Sequence, residues 1–211
     1  SLRLRAHREG QTRLLAGLLP GLLLMAGAEA QDFAGWRARM VAEIDAMFAE
    51  TRLVTGLPAM SPAVPQALGK VEPHRLVPPG EVSRAYRNHP LPIGHGQTIS
   101  QPFIVALSTE LISPQPNHVV LEIGTGSGYQ AAVLAEVVSK VYSVEVVEPL
   151  ALTARQNLQE LKYQNVEIKI GDGYKGWPEK GPFDGIVVTA AAPRIPQPLV
   201  DQLKPGGRMA I

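Results

Sequence analysis

Three glycines at alternate positions, in Gly124-Thr125-Gly126-Ser127-Gly128, constrain this chain more than any other feature. They follow the apolar run Val119-Val120-Leu121 and the acid Glu122, and they lead into a helix-forming run from Tyr129. Glycine lacks a β-carbon, so it turns sharply and lets a ligand lie against bare backbone. A strand, glycine loop and helix joined in this way can hold a nucleoside cofactor. The spacing here is GxGxG. The dinucleotide fingerprint GxGxxG is longer, so that a helix N-terminus meets a pyrophosphate. No Gly-Lys-Ser/Thr follows, which excludes a P-loop. Glu122 beside the loop would repel a pyrophosphate but tolerate a cationic amino-acid ligand. Taken alone, the loop also admits the reading of a tight strand-to-helix turn with no ligand.

The segments around the loop alternate in a regular way. Val119–Ile123, Val141–Val147, Val166–Ile170 and Asp184–Ala190 read as buried strands, and Arg208–Ile211 begins a fifth. Helices are expected over Tyr129–Val138, Pro149–Lys162 and Pro198–Leu203. Strands alternating with helices imply an α/β class with a doubly wound, mostly parallel sheet, helices on both faces and ligands at the carboxyl ends of the strands. Ahead of this core, Asp32 is a candidate N-cap for a helix whose apolar face is Phe33, Trp36, Met40, Val41, Ile44, Met47 and Phe48. The proline-rich stretch 57–80 reads as loop with short helical turns, and 91–97 as too rich in Pro and Gly for regular structure. Ser100 then caps a helix with Pro102 in its first turn, running through Leu111. The expected organisation is a leader over 1–30, a helical and loop extension over 31–99, and a ligand-binding core over 100–211.

The leader reading rests on Arg3, Arg5, Arg8 and Arg13, an apolar stretch from Leu14 to Ala28, and small residues at Ala28 and Ala30. That is the layout of a secretory signal peptide. The apolar stretch falls short of the ~20 residues that span a bilayer, and Pro20-Gly21 interrupts it. The expected location is therefore periplasmic or secreted, with a cytoplasmic protein as the alternative. No membrane span is expected. The chain opens on Ser1 and stops at Ile211 inside an expected strand, so C-terminal strands are expected to be missing.

Composition narrows the chemistry further. A formal charge of +1 gives no global basic field, so no nucleic-acid partner is expected. The chain has no cysteine, which removes disulfides, thiolate metal sites and a cysteine nucleophile. Its five histidines show no HExxH spacing, and no metal is expected. Two acids supply the missing partners for the glycine loop. Glu145 lies near the end of the second strand, about twenty residues beyond the glycines, where an acid accepts from ribose hydroxyls. Asp172, in Gly171-Asp172-Gly173 after the third strand, is placed to accept from an adenine amino group. Signals at the ends of three successive strands point into one crevice and favour an adenosyl ligand, S-adenosylmethionine.

The run Leu91-Pro92-Ile93-Gly94-His95-Gly96-Gln97-Thr98-Ile99-Ser100-Gln101-Pro102 resembles the substrate-loop signature of protein-L-isoaspartate O-methyltransferases. Leu121 to Gln130, Gly171-Asp172-Gly173, Val188-Thr189-Ala190-Ala191-Ala192-Pro193 and Gln202-Leu203-Lys204-Pro205-Gly206-Gly207 resemble that family in the same order. The resemblance covers about residues 70–211 and implies a Rossmann-like methyltransferase fold. It also implies methyl transfer from S-adenosylmethionine to the free α-carboxylate of L-isoaspartyl residues in damaged proteins or peptides. The ester then closes to a succinimide, and hydrolysis restores some normal aspartate. By this resemblance Thr98, Ile99 and Ser100 line the substrate site, with Ser100 as the active residue. Glu122, Gly124, Thr125, Gly126, Ser127, Gly128, Glu145, Asp172 and Gly173 hold the cofactor. A monomer is expected. The segment Glu72-Pro73-His74-Arg75-Leu76-Val77-Pro78 departs from the family's Pro-Arg-His-x-Phe-Val-Pro. Competing readings are a methyltransferase of a small molecule, a nicotinamide dehydrogenase lacking its GxGxxG, and an inactive exported binding module.

Overall fold

A computed structural model describes residues 31–190 and 194–211, so the leader expectation over 1–30 and the Ala191–Pro193 part of the quoted run lie outside the described residues. Residues Asp32–Ile211 form one compact unit. It begins with α1 (Phe33–Thr55). Asp32 caps this helix as the sequence suggests, its carboxylate accepting from Gly35 N at 2.8 Å. Met40, Ile44 and Phe48 recur one helical turn apart and are fully buried, and Phe48 meets the Phe103 ring edge-on at 5.5 Å. At the other end Phe33 stacks on His74 at 3.8 Å.

Two expectations in the N-terminal region are corrected. The proline-rich stretch contains a full helix, α2 (Ala63–Lys70). Pro65 does not break it, because it sits in the first turn, where backbone N–H groups have no intrahelical acceptor. Burial of Val64, Ala67 and Leu68 holds this helix. Ser61, just before it, donates from N and Oγ to the Glu110 carboxylate at 2.6 and 2.9 Å. Two 3₁₀ turns follow at Pro73–Arg75 and Pro79–Arg84. The second correction concerns 91–99, which form an antiparallel hairpin of β1 (Leu91–Gly94) and β2 (Gln97–Ile99). His95 (φ +53°) and Gly96 (φ +70°) both adopt left-handed backbone at its tip, as the two central residues of a type I′ turn do. Pro92 takes an exposed position in a two-stranded ribbon, where a missing donor is tolerated.

The hairpin leads into α3 (Pro102–Leu111). Ser100 does not cap it. Gln101 occupies the cap position without a side-chain bond, and Asn88 reaches in from before the hairpin to accept from Phe103 N at 3.0 Å. Five parallel strands follow, separated by helices except between β5 and β6, where two 3₁₀ turns (Gly173–Lys175 and Pro178–Lys180) intervene: β3 (Val119–Ile123), α4 (Tyr129–Val137), β4 (Lys140–Glu145), α5 (Glu148–Glu160), β5 (Val166–Ile170), β6 (Phe183–Val188), α6 (Gln197–Asp201) and β7 (Leu203–Ala210). β4 ends two residues earlier than expected because the Glu145 carboxylate turns the chain, accepting from Val147 N at 2.9 Å. β7 starts five residues earlier than expected, and Pro205-Gly206-Gly207 lie within it at a shift of register. A Cβ on Gly207 would stand 2.9 Å from Asp184 O, so only glycine fits that close approach.

The sheet order is β5-β4-β3-β6-β7. Chain order reverses between β3 and β6, which opens a crevice at their carboxyl ends. Val120, Val141 and Val187 belong to the large core shared with α1 to α5. Leu121, Ile123, Val144 and Ile186 face the other way, packed with Leu199 of α6 and Trp177. On the outer edge of β5, Arg155 Nη2 donates to Ile168 O at 2.6 Å. Among the described residues, no helix is long and apolar enough to cross a membrane, and no group of three metal-ligating side chains comes together.

Phe48→Ala is expected to lower the unfolding free energy by about 3–5 kcal/mol, since it opens a cavity between α1 and α3. Urea unfolding followed by circular dichroism measures this, and a loss below about 1 kcal/mol would show that α1 is not part of the cooperative core.

Candidate active site

The site grows from the carboxyl end of β3. Gly124 N donates to Val144 O at 2.8 Å, and the chain then turns through left-handed backbone at Gly124 (φ +93°) and Gly128 (φ +89°). A Cβ on Gly124 would lie 2.6 Å from Thr189 Oγ1. That hydroxyl sits at the end of β6, within hydrogen-bond distance of Ile123 O (3.0 Å) and Gly124 O (2.6 Å). On the other side, Glu145 at the end of β4 accepts from Gly126 N at 2.8 Å. Neighbouring strands thus clamp the loop from both sides. The hairpin packs onto the loop as well: a Cβ on Gly126 would come within 3.4 Å of Ile93 Cδ1.

These elements enclose a cavity of about 510 Å³. Of the residues singled out from the sequence, Thr98, Ile99, Ser100, Gly124, Thr125, Gly126, Ser127, Glu145, Asp172 and Gly173 all line it. Two do not. Gly128 starts α4 behind the wall, where a Cβ would press to 3.3 Å on the Leu158 side chain, so its glycine serves packing. Glu122 is fully buried beneath the sheet surface, on the same face as Val120 and under α4. Adjacency in sequence to the loop had placed it with the ligand, but strand alternation turns its side chain away.

Several lining residues were missed. Gln97 opens the bend that carries Thr98–Ser100, Gln130 follows the glycine loop, and Thr189 follows β6. Val146 and Tyr174 follow the strand-end acids Glu145 and Asp172 and stand 70% and 49% exposed. A valine or tyrosine one or two residues after a strand-end acid was the available signal, because an apolar surface left open at a strand end marks a face that a flat ring can cover.

Electrostatically the cavity is one-sided. Its wall carries the carboxylates of Glu145 and Asp172 and, among the described residues, no Lys, Arg or His. Glu145 is 6% exposed, and each of its oxygens accepts one backbone N–H, which leaves further lone pairs for a ligand. Asp172 accepts from Tyr174 N at 3.0 Å through one oxygen. Beneath the loop, burial pushes the Glu122 carboxyl up to about 8. The Ser143 hydrogen bond opposes that rise, and the nearby Glu145 charge adds to it. Ser143 Oγ lies 2.5 Å from Glu122 Oε2 and 2.5 Å from Thr125 Oγ1. Glu122 Oε1 has no hydrogen-bond partner among the described residues. A cavity with apolar walls, two acid acceptors and no cation suits an uncharged or cationic nucleoside and rejects a phosphate.

Gly124→Ala is expected to cost more stability than Gly206→Ala. Both have positive φ, which costs a side chain roughly 1–2 kcal/mol, but Gly206 faces open space whereas Gly124 faces Thr189. Urea midpoints of the two variants measure the difference, and equal losses would mean that Thr189 yields freely.

Comparison with known proteins agrees with this geometry. The family model described as Protein-L-isoaspartate(D-aspartate) O-methyltransferase (PCMT) matches residues 50–211. Protein-L-isoaspartate O-methyltransferase 2 of Polaromonas sp. (strain JS666) is 58% identical over 172 residues, which is 82% of this chain and 82% of that protein. A solved protein-L-isoaspartate O-methyltransferase is 30% identical with a TM-score of 0.70, over 82% of this chain and 54% of that one. A Plasmodium falciparum protein crystallised in complex with S-adenosyl-L-homocysteine has a TM-score of 0.66 at 24% identity, over 85% of this chain and 83% of that one, a likeness of fold. By sequence over most of its length, and by a parallel sheet with helices on both faces and a glycine loop at the point of strand reversal, this chain belongs to the protein-L-isoaspartate O-methyltransferase family.

Proposed function

We propose that this chain transfers a methyl group from S-adenosylmethionine to the free α-carboxylate of L-isoaspartyl residues in damaged proteins. The observation that carries this reading is the meeting of Thr98, Ile99 and Ser100 with the clamped glycine loop, Glu145 and Asp172 in one cavity. The residues present fit the cofactor. Ile123, Val144, Val146 and Val147 offer apolar surface, Glu145 and Asp172 offer acceptors for hydroxyls and an amine, and among the described residues no cationic side chain lines the cavity to take a phosphate.

Bound there, the cofactor would supply an electrophilic methyl carbon on a sulfonium, for transfer to a carboxylate oxygen with the thioether as leaving group. The chain's own residues have a positioning task. The substrate carboxylate is already ionised near neutral pH, so no general base is required. Ser100 and Thr98 offer hydroxyl donors that orient it, and Ile99, Val105 and Leu199 help keep water out. Positioning of this kind can contribute ~7–11 kcal/mol to lowering a barrier. Among the described residues, Ser100 has no histidine or lysine in the cavity wall to activate it, which supports a donor role over a nucleophilic one. Its release from capping α3 supports the same assignment. The small-molecule alternative lacks an explanation for the hairpin that carries Thr98–Ser100 against the loop.

Ser100→Ala is expected to lower kcat/KM on an isoaspartyl peptide by about 10- to 100-fold, the equivalent of one hydrogen bond to a charged group, while the affinity for S-adenosylhomocysteine changes by less than about threefold. Methyl transfer assayed on paired isoaspartyl and aspartyl peptides, with calorimetry for the cofactor product, tests it. Transfer to both peptides alike, or to neither, sinks the reading.

We also propose that residues 1–30 are a leader removed after Ala30. The basic, apolar and small-residue layout supports this, as does the start of α1 just two residues after Gln31. Terminal sequencing of exported material is expected to read Gln31 first; an intact leader on a soluble product would overturn the proposal.

A further inference from the structure

Glu122 has no part in the cavity wall, yet it ends a chain of three side chains that reaches the wall at Thr125. We propose that Glu122 is a positioning residue that sets, through Ser143, whether the Thr125 hydroxyl offers a hydrogen-bond donor to the amino-acid end of the bound cofactor. The proposal rests on the S-adenosylmethionine reading above and deepens it.

The argument is one of hydrogen-bond polarity. A hydroxyl has one proton to give, whereas a carboxylate only accepts. When Glu122 is ionised it must draw the Ser143 proton. Ser143 then accepts from Thr125, whose own proton is turned inward, away from the cavity. When Glu122 carries a proton, it can donate to Ser143, Ser143 to Thr125, and Thr125 outward. All three groups are almost closed to water, with Glu122 and Ser143 at 0% and Thr125 at 3% exposure, so solvent cannot relieve the choice. An outward donor matters here because the cavity wall has, among the described residues, no cationic side chain. The carboxylate of the cofactor's amino-acid end must be held by neutral donors, and an ionised Glu122 would add a negative charge beneath them.

The neighbours of Glu122 leave it free to titrate. In the sheet it pairs with Ser143 of β4 and Val187 of β6. β4 also places Glu145 within range, and that charge disfavours ionisation of Glu122. The ionisable groups of α3 and α4 are Glu110, bonded to Ser61, Glu136, paired with Lys70, and the buried Tyr129. No cation is among the causes acting on Glu122, and with burial dominant it holds its proton until about pH 8. Below that pH the donor faces the cavity; above it the donor is withdrawn. Affinity for the cofactor is therefore expected to fall as pH rises past 8.

The test is calorimetric binding of S-adenosylhomocysteine between pH 6.5 and 9.5 to the wild-type chain, Glu122→Gln and Ser143→Ala. The ligand's own amine titrates in the same range, but it does so equally for all three proteins. 5′-Methylthioadenosine, which lacks the amino-acid end, serves as the second ligand. The dissociation constant of the wild type is expected to rise between the two pH limits at least threefold more than that of either variant. With 5′-methylthioadenosine the three profiles are expected to coincide. If wild type and Glu122→Gln share one profile for S-adenosylhomocysteine, the relay is wrong. If the difference persists with 5′-methylthioadenosine, Glu122 acts on the loop as a whole and the proposal is equally overturned. If Glu122→Gln fails to fold, the Ser143→Ala profile decides alone. Wild-type protein that binds neither ligand at any pH refutes the cofactor reading itself.

Discussion

The hydroxyl of Thr189 joins the two halves of the sheet at the one place where a gap is unavoidable. β3 and β6 are neighbours in space, but two other strands, β4 and β5, lie between them in the chain and their connections run in opposite directions, so their ends diverge. Thr189 closes that divergence by bonding to the Ile123 and Gly124 carbonyls. The glycine at 124 is required because the hydroxyl occupies the space a Cβ would take. Once this contact fixes the start of the loop, Glu145 can fix its middle and Ser143 its Thr125 side chain. The cavity owes its shape to these few bonds, and its selectivity for an adenosyl group over a dinucleotide follows from which charges they leave facing inward.

The N-terminal region serves the same site from farther away. α1 and α2 do not line the cavity; they press the hairpin and α3 against it. Glu110 ties α3 to the chain ahead of α2, and Asn88 ties α3 to the chain ahead of the hairpin. The bend that holds Thr98 and Ser100 is therefore anchored at both ends. A carboxylate that needs only orientation, and no proton transfer, is served by a rigid bend of this sort.

Legibility in the sequence followed the source of order. β3 and β6 were readable from the apolar runs that buried parallel strands carry, and β5, at the sheet edge, from the alternation of Val166, Ile168 and Ile170 with Glu167 and Lys169, which bounded Val166–Ile170 to the residue. The hairpin was not readable. Its order comes from a two-residue turn and from Ile93 packing on Gly126, neither of which leaves a periodic trace in Leu91–Ile99. α2 was hidden by prolines that harm a helix only beyond its first turn. At the site, Glu145 and Asp172 were legible from their place after strands. Glu122 was misplaced because its nearness to the loop in sequence was weighed above the alternation of β3, which puts it with Val120 under the helices. The role of Asn88 at α3 was invisible, since a cap supplied from fifteen residues away has no local signature.

The guanidinium of Arg155 on the outer margin of β5 has a consequence for the company this protein keeps. A sheet margin with free carbonyls invites any extended polypeptide to add itself as another strand. By occupying the Ile168 carbonyl with its own charge, Arg155 withholds part of that template, so an approaching polypeptide finds fewer open acceptors along β5.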